Sequence, residues 1–235
     1  MSDTITFTID GVEIKGTPGM TILEAADACG VYIPRLCKAK GLSPRGSCRV
    51  CTVMVNARPQ SACTQPIAEG MIVENDTPAL KEHRRQIIEM LLVEGNHFCP
   101  LCERSGSCEL QALGYRHGIM APRYPYQFPK RDMDVGHPDL MIDRNRCILC
   151  GRCVNASRYV DGKTAYEFVG RSVHKRIAAD AATGLAGTRA AADDRAAEVC
   201  PVGSIIRKRT AYAVPIGQRP FDRKPIGAEI EAKKA

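Results

Sequence analysis

Cys147-Ile148-Leu149-Cys150-Gly151-Arg152-Cys153 places three cysteines at two-residue spacing, and a distant Cys200-Pro201 supplies a fourth. A C-x2-C-x2-C run completed by a Cys-Pro is the pattern by which thiolates hold a [4Fe-4S] cluster. Where two such runs exist, the fourth cysteine ligates the other cluster. Here there is no second run, so Cys200 closes the same set and one cluster is expected.

Working outward, eleven of the twelve cysteines fall into three sets. Cys37, Cys48, Cys51 and Cys63 follow the spacing C-x10-C-x2-C-x11-C, a close pair with remote outer ligands that suits a [2Fe-2S] cluster. A C-x2-C within four cysteines also suits tetrahedral zinc, and the strand pattern ahead of this set favours iron and sulfur. Cys99, Cys102 and Cys108 form the third group, with His97 just upstream. Three cysteines leave a [4Fe-4S] cluster one ligand short, and His97 is the nearest candidate. Imidazole in place of thiolate removes a negative charge and on that ground raises the potential. A histidine at the end of the preceding helix is also favoured by the helix dipole without any metal. Cys29 is left over and reads as a small core residue. His83, His117, His137 and His174 have no ligand spacing and read as packing or surface residues.

Composition limits the alternatives. The 235 residues are 44% hydrophobic but only 5% aromatic, with no tryptophan, which predicts two or three small cores whose stability depends on bound metal. A disulfide framework belongs to short secreted chains. Met1-Ser2-Asp3-Thr4 has no basic leader and Ile87 to Val93 is too short to span a bilayer, so a cytoplasmic protein is expected. The formal charge is +7. Eleven ligating thiolates against three cores of roughly +2 each would subtract about five charges. The basic excess is thus expected to compensate clusters internally, and no basic run with interleaved aromatics points to nucleic acid.

Residues 5–14 alternate apolar and polar around Asp10-Gly11 and predict a hairpin. Thr21 and Glu24 form a capping box for a short helix stopped by Gly30. An irregular loop from Pro34 to Gly46 and a strand at Thr52–Val55 complete the outline of a β-grasp. Gly46 and Ser47 would let backbone N–H groups approach the sulfurs. Thr77-Pro78 caps a helix running to Gly95, with Leu80, Ile87, Ile88, Leu91 and Leu92 as an ordinary core face. Three prolines in residues 121–129 exclude a helix. That segment reads as a surface crossover, with Tyr124, Tyr126 and Phe128 as possible anchors on a neighbouring domain or subunit. The alanine-rich stretch Ala178–Ala197 predicts a helix. Pro215-Ile216-Gly217 and Pro225-Ile226-Gly227 read as turns, and Glu229–Ala235 as disordered.

The resulting expectation is an α+β chain in five parts. Residues 1–78 form a β-grasp [2Fe-2S] ferredoxin domain and 79–120 a small helical one-His/three-Cys [4Fe-4S] domain. Residues 121–138 are a linker, 139–210 a C-terminal bacterial-ferredoxin-like [4Fe-4S] domain, and 211–235 a tail.

The ordered series of these three ligand sets resembles the N-terminal part of the large iron–sulfur subunit of respiratory complex I, and the N-terminus of iron-only hydrogenases. It resembles in particular the small diaphorase subunit of bacterial NAD-reducing nickel–iron hydrogenases, on its short length, Glu94-Gly95-Asn96-His97-x-Cys99-Pro100 and the Cys200-Pro201-Val202-Gly203 ending. The resemblance implies a cytoplasmic complex catalysing H2 + NAD+ = NADH + H+. Hydrogen would be split at a nickel–iron site on large and small hydrogenase subunits, and NAD reduced at an FMN site on a larger diaphorase subunit. This chain would relay electrons between them, with no partnership with membrane or nucleic acid. Only Phe98 separates His97 from Cys99, where the wider family has three residues. A carboxylate, water or other group therefore stays open as the fourth ligand.

No G-x-G-x-x-G fingerprint, Walker motif or nucleophile elbow occurs, so no catalytic or nucleotide site is expected on this chain. Two other readings remain. The same wire could serve an NAD-dependent formate dehydrogenase or a complex I-like NADH dehydrogenase, since the 35 residues after Cys200 are too few for a substrate domain. A zinc-stabilised scaffold would lack iron altogether.

Overall fold

The alternating run near the N-terminus pairs on itself: β1 (Ile5–Ile9) and β2 (Val12–Gly16) are antiparallel, Ile9 opposite Val12, with Asp10 and Gly11 at positive φ in the turn. The structure, a computed structural model, describes residues 4–234. Met1-Ser2-Asp3, on which the reading of a missing leader rests, and Ala235 lie outside them. Helix α1 (Ile22–Ala28) starts at the Thr21–Glu24 capping box and lays Ile22, Leu23, Ala25 and Ala26 on the sheet. Cys29 caps the end of α1 instead of lying inside it, packed at the rim of this core.

Strands β3 (Thr52–Val55), β4 (Arg58–Ser61) and β5 (Ile72–Glu74) complete a five-stranded sheet of order β2-β1-β5-β3-β4. β1 and β5 run parallel at its centre, the β-grasp arrangement. Phe7, Ile9, Ile14, Val53 and Val73 fill the space beneath α1.

Thr77 accepts the Leu80 N–H at 3.2 Å and starts α2 (Pro78–Glu94), with proline at its first position. Of the predicted face, Leu80 and Ile88 are buried while Ile87, Leu91 and Leu92 are half-buried against the same core; Val93, outside that prediction, is buried, and so are Arg84 and Glu89, so the inner face is not purely apolar. Helix α3 (Glu109–Arg116) packs against α2. Residues 121–129 then run back along α2: Arg123 pairs with Glu89 at 2.8 Å and Glu82 at 2.9 Å, and the Gln127 N–H donates to the Val93 carbonyl. Tyr126 and Phe128 stack with centroids 5.5 Å apart and face outward, as a surface crossover would have them.

The remaining elements are β6 (Met133–Asp134), β7 (Leu140–Asp143), α4 (Arg152–Tyr159), β8 (Tyr166–Val169), β9 (Arg176–Ala179), α5 (Arg195–Glu198) and β10 (Ile205–Arg207). They build a three-stranded sheet of order β10-β7-β6 and a β8–β9 hairpin over a core of Leu140, Ile142, Tyr166 and Ile177. The helix expected over Ala178–Ala197 is not there. Its start is the end of β9, and a single turn at Gly184–Gly187 follows. Only α5 is helical. Glycines interrupt the run, and the Asp134 carboxylate accepts the Leu185 N–H at 2.7 Å, holding buried Leu185 in a loop.

The expectation of a disordered end is also overturned. After its turns the tail forms α6 (Ala228–Glu231), and Ile226 and Ile230 bury against Tyr32, Leu110 and Leu113. The Phe221 N–H donates to the Gly106 carbonyl, Arg116 pairs with Glu231, and the Lys233 ammonium donates to the Asp27 carbonyl. An i, i+4 isoleucine pair is enough to dock a charged segment. No helix among the described residues is long and apolar enough to cross a membrane.

Candidate metal centres

None of the twelve cysteines is joined to another by a disulfide. Their neighbourhoods follow the three sequence sets. Cys37, Cys51 and Cys63 are buried within the β-grasp core, with Cys48 packed at its edge. Cys37 arrives on the loop after α1, Cys48 and Cys51 on the turn into β3, and Cys63 just after β4. Gly46 sits at φ +68° with the Thr64 methyl only 3.1 Å from where a Cβ would stand, so glycine permits this closure. Arg49, between Cys48 and Cys51, also adopts the left-handed conformation.

The four sulfurs share hydrogen bonds among themselves. Bonds with Cys48 and then Cys63 hold the Cys37 thiol far below its ordinary range. Bonding with Cys63 brings Cys51 down to about 7, while Cys48 and Cys63 are pushed up by their bonds with Cys37.

In the second set, His97, Cys99, Cys102 and Cys108 line one cavity together with Gln111, Arg146 and Val202. Cys108 is the N-cap of α3 and accepts the Gln111 N–H at 3.5 Å. The His97 Nε2 is buried and has no hydrogen-bond partner, an arrangement that costs free energy unless something coordinates it. Burial first, then Arg146 and Arg131, push His97 down to about 4, so its imidazole is neutral and able to coordinate at pH 7. Burial pushes Cys108 up to about 12.

The third set, Cys147, Cys150, Cys153 and Cys200, lines a second cavity with Ile142, Ile148, Ile177 and Val202. The Cys147–Cys153 loop joins β7 to α4, and Cys200 lies between α5 and β10. Leu149 at φ +55° and Gly151 at φ +75° curl the loop. The Leu149 and Ser204 N–H groups donate to the Cys147 and Cys200 sulfurs at 3.4 and 3.1 Å. Burial pushes Cys147 up to about 11, and burial with the neighbouring Cys200 pushes Cys150 up to about 12.

The donor chemistry fits iron–sulfur clusters. In the second and third sets, burial makes the crowded thiols resist ionisation, and a cationic core is what makes four thiolates at one place stable. Among the described residues no three His, Cys, Asp or Glu side chains converge on the point a single ion would occupy. Two much larger clefts, about 780 and 940 Å³, contain none of the twelve ligand candidates.

The sites adjoin one another. Val202 lines both the second and the third cavity. Cys150 and Ile148 of the third set pack on the β-grasp core that encloses the first. Sequence reading missed three contributors. Val202 is one; Arg152 is another, pairing with Glu109 at 2.5 Å beside Cys150; Arg84 is the third, behind Cys51. The available signal for Arg84 was a charged residue midway between Leu80 and Ile88 in an apolar stripe.

Three domain families match along the chain: a 2Fe-2S iron–sulfur cluster binding domain over 2–78, the NADH-ubiquinone oxidoreductase-G iron–sulfur binding region over 84–123, and the ferredoxin-like domain of NADH-quinone oxidoreductase subunit 3 over 138–206. The class is therefore an iron–sulfur protein with 2Fe-2S and 4Fe-4S type domains. The chain is 40% identical to the gamma subunit of the NAD-reducing hydrogenase HoxS of Cupriavidus necator, over 95% of this chain and 96% of the relative, and it belongs to that family of hydrogenase subunits. It is 35% identical to the NADH-quinone oxidoreductase G 2 subunit of Rhizobium meliloti over 93% of its length, but spans only 25% of that protein. A crystal structure of NAD+-reducing [NiFe]-hydrogenase in the H2-reduced state superimposes with a TM-score of 0.93 at 46% identity, covering 98% of each chain.

Proposed function

We propose that this chain is the iron–sulfur electron-transfer subunit of an NAD-reducing hydrogenase, holding one [2Fe-2S] and two [4Fe-4S] clusters. The observation that carries this reading is three adjoining sets of buried and half-buried sulfur donors on a chain 40% identical to such a subunit along almost its whole length. Cys37, Cys48, Cys51 and Cys63 would hold the [2Fe-2S] cluster. His97, Cys99, Cys102 and Cys108 would hold one [4Fe-4S] cluster, and Cys147, Cys150, Cys153 and Cys200 the other. Residues 1–78, 79–120 and 139–210 are the corresponding domains, joined by the 121–138 linker and followed by the 211–235 tail.

Bound clusters supply outer-sphere electron transfer; the chain's own residues orient them, exclude water and set their charge environment. N–H groups of Gln111, Leu149 and Ser204 stabilise negative charge on the ligand sulfurs. The shared Val202 wall supports direct exchange between the second and third sites, and the Cys150 contact with the β-grasp core supports exchange between the third and the first.

The partners would be nickel–iron large and small subunits on one side and an FMN- and NAD-binding diaphorase subunit on the other, in the cytoplasm. Electron paramagnetic resonance of anaerobically purified chain under graded reduction should resolve one [2Fe-2S] and two [4Fe-4S] signals. Zinc with no iron or acid-labile sulfide would refute the reading. Co-purification of nickel with FMN supports the hydrogenase complex, and molybdenum or tungsten would transfer the wire to a formate dehydrogenase.

A further inference from the structure

Arg84 projects from α2 into the β-grasp domain and is 2% exposed. Its Nε donates to the Val50 carbonyl at 3.2 Å and its Nη2 to the Thr52 carbonyl at 2.9 Å, so the guanidinium grips the backbone on both sides of Cys51. Two more bonds run to Asn75, from Nη1 to its carbonyl at 2.8 Å and from Nη2 to Oδ1 at 2.7 Å. Every one of these acceptors is neutral.

The other two buried arginines among the described residues have carboxylates. Arg144 pairs with Asp132 at 2.9 Å and Arg152 with Glu109 at 2.5 Å. For Arg84 no carboxylate lies within ion-pair distance among the described residues. The nearby acids are otherwise engaged: Asp76 pairs with Lys81 at 3.0 Å, and Asp10 accepts the Asn75 and Asp76 N–H groups. Burial lowers the guanidinium to about 10, which leaves it charged at pH 7, and the Cys51 sulfur is the foremost anion opposing that shift. A buried cation needs an opposite charge.

We propose that Arg84 is the fixed counter-charge of the first centre, a positioning residue that holds the Cys51 segment and raises the potential at which that centre accepts an electron. Reduction adds one negative charge, and a desolvated cation a few bonds away stabilises the reduced form more than the oxidised one. Because Arg84 belongs to α2, the second domain's helix tunes the first domain's potential. The inference rests on Cys37, Cys48, Cys51 and Cys63 holding a [2Fe-2S] cluster. If that assignment fails, the wild type lacks the signal altogether, an outcome distinct from those below.

The test is a redox titration of the full anaerobically purified chain, monitored by the [2Fe-2S] paramagnetic signal. Arg84→Gln should lower the midpoint by at least the equivalent of a tenfold change in the reduction equilibrium, about 59 mV for one electron. Arg84→Lys, which keeps the charge, should titrate near the wild type. A wild-type midpoint in Arg84→Gln overturns the proposal, as does a fall in Arg84→Lys equal to that in Arg84→Gln. Should Arg84→Gln not retain the cluster, Asn75→Asp puts a carboxylate 2.7 Å from the guanidinium with almost no change of shape. It should lower the midpoint in the same direction, and an unchanged value refutes the idea.

Discussion

Arg152 ties three parts of the chain together, and the loss of its carboxylate partner can be worked through. Its guanidinium is almost fully buried and meets both Glu109 oxygens, at 2.5 and 2.7 Å, while also donating to the Lys38 and Val199 carbonyls at 3.0 and 3.4 Å. Those three partner residues come one from each of the three cysteine-bearing parts of the chain. Replacing Glu109 with alanine leaves the cation buried without its counter-charge, which costs about 3–5 kcal/mol. The carboxylate side chain is 28% exposed, so water recovers part of this and the lower end, about 3 kcal/mol, applies. At about 2–4 °C per kcal/mol for a chain of this size, the unfolding midpoint should drop by about 6–12 °C. The assay is thermal bleaching of visible cluster absorbance at fixed scan rate, anaerobically. Replacing both partners, Arg152→Met with Glu109→Leu, should cost less than Glu109→Ala alone, because the stranded charge is gone. A midpoint for Glu109→Ala within about 2 °C of the wild type, or a double variant worse than the single, would refute the reasoning.

His97→Ala should take iron from about ten atoms per chain to about six and abolish one [4Fe-4S] signal, whereas a fully loaded, spectroscopically unchanged variant removes His97 from the ligands. Burial pushes His117 down to about 4. The unfolded chain protonates it near 6.5 and so binds more protons in between. Stability should therefore fall as pH drops from about 6.5 towards 4 and level off below, and His117→Asn should flatten the urea-midpoint profile; an unaltered profile would count against this. Gly227 stands at φ +93°, and a Cβ there would overlap the Tyr32 ring. Gly227→Ala should release the tail at a cost of about 1–3 kcal/mol, read as faster proteolysis after residue 217, with unchanged cleavage as the contrary result.

What the sequence made legible was chemistry and local geometry. The Asp10-Gly11 turn, the Thr21–Glu24 box and the Thr77-Pro78 start each depend on neighbours within four residues, so spacing alone predicts them. The cysteine groups were legible because a cluster demands several thiolates at a point. Failures arose where tertiary contact decided the outcome. Alanine propensity over 178–197 lost to β8–β9 pairing, with Phe168 opposite Ile177, and to the Asp134 contact beneath Leu185. The tail looked too charged to fold, yet its isoleucine pair found a surface supplied by α3 and Tyr32. Arg84 was invisible for the same reason, since only the folded chain brings Val50, Thr52 and Asn75 around it.

Buried charge also separates what stabilises this protein from what sets its electronics. An apolar side chain at position 84 would strand the Val50, Thr52 and Asn75 acceptors, each costing about 1–3 kcal/mol when buried and unpaired, so a destabilised Arg84→Leu says nothing about charge. Glutamine keeps an amide donor but cannot serve all four acceptors, so the effect of charge is read from Arg84→Lys against Arg84→Gln and from Asn75→Asp instead of from stability. Of the three buried arginines among the described residues, only Arg84 lacks a carboxylate. Exposed charges are screened within about 8–10 Å at ordinary ionic strength, whereas a cation behind Cys51 is not. The potential difference between wild type and Arg84→Gln should hardly change between about 0.1 and 1 M salt. A difference that collapses in high salt would trace the effect to the surface and not to the guanidinium.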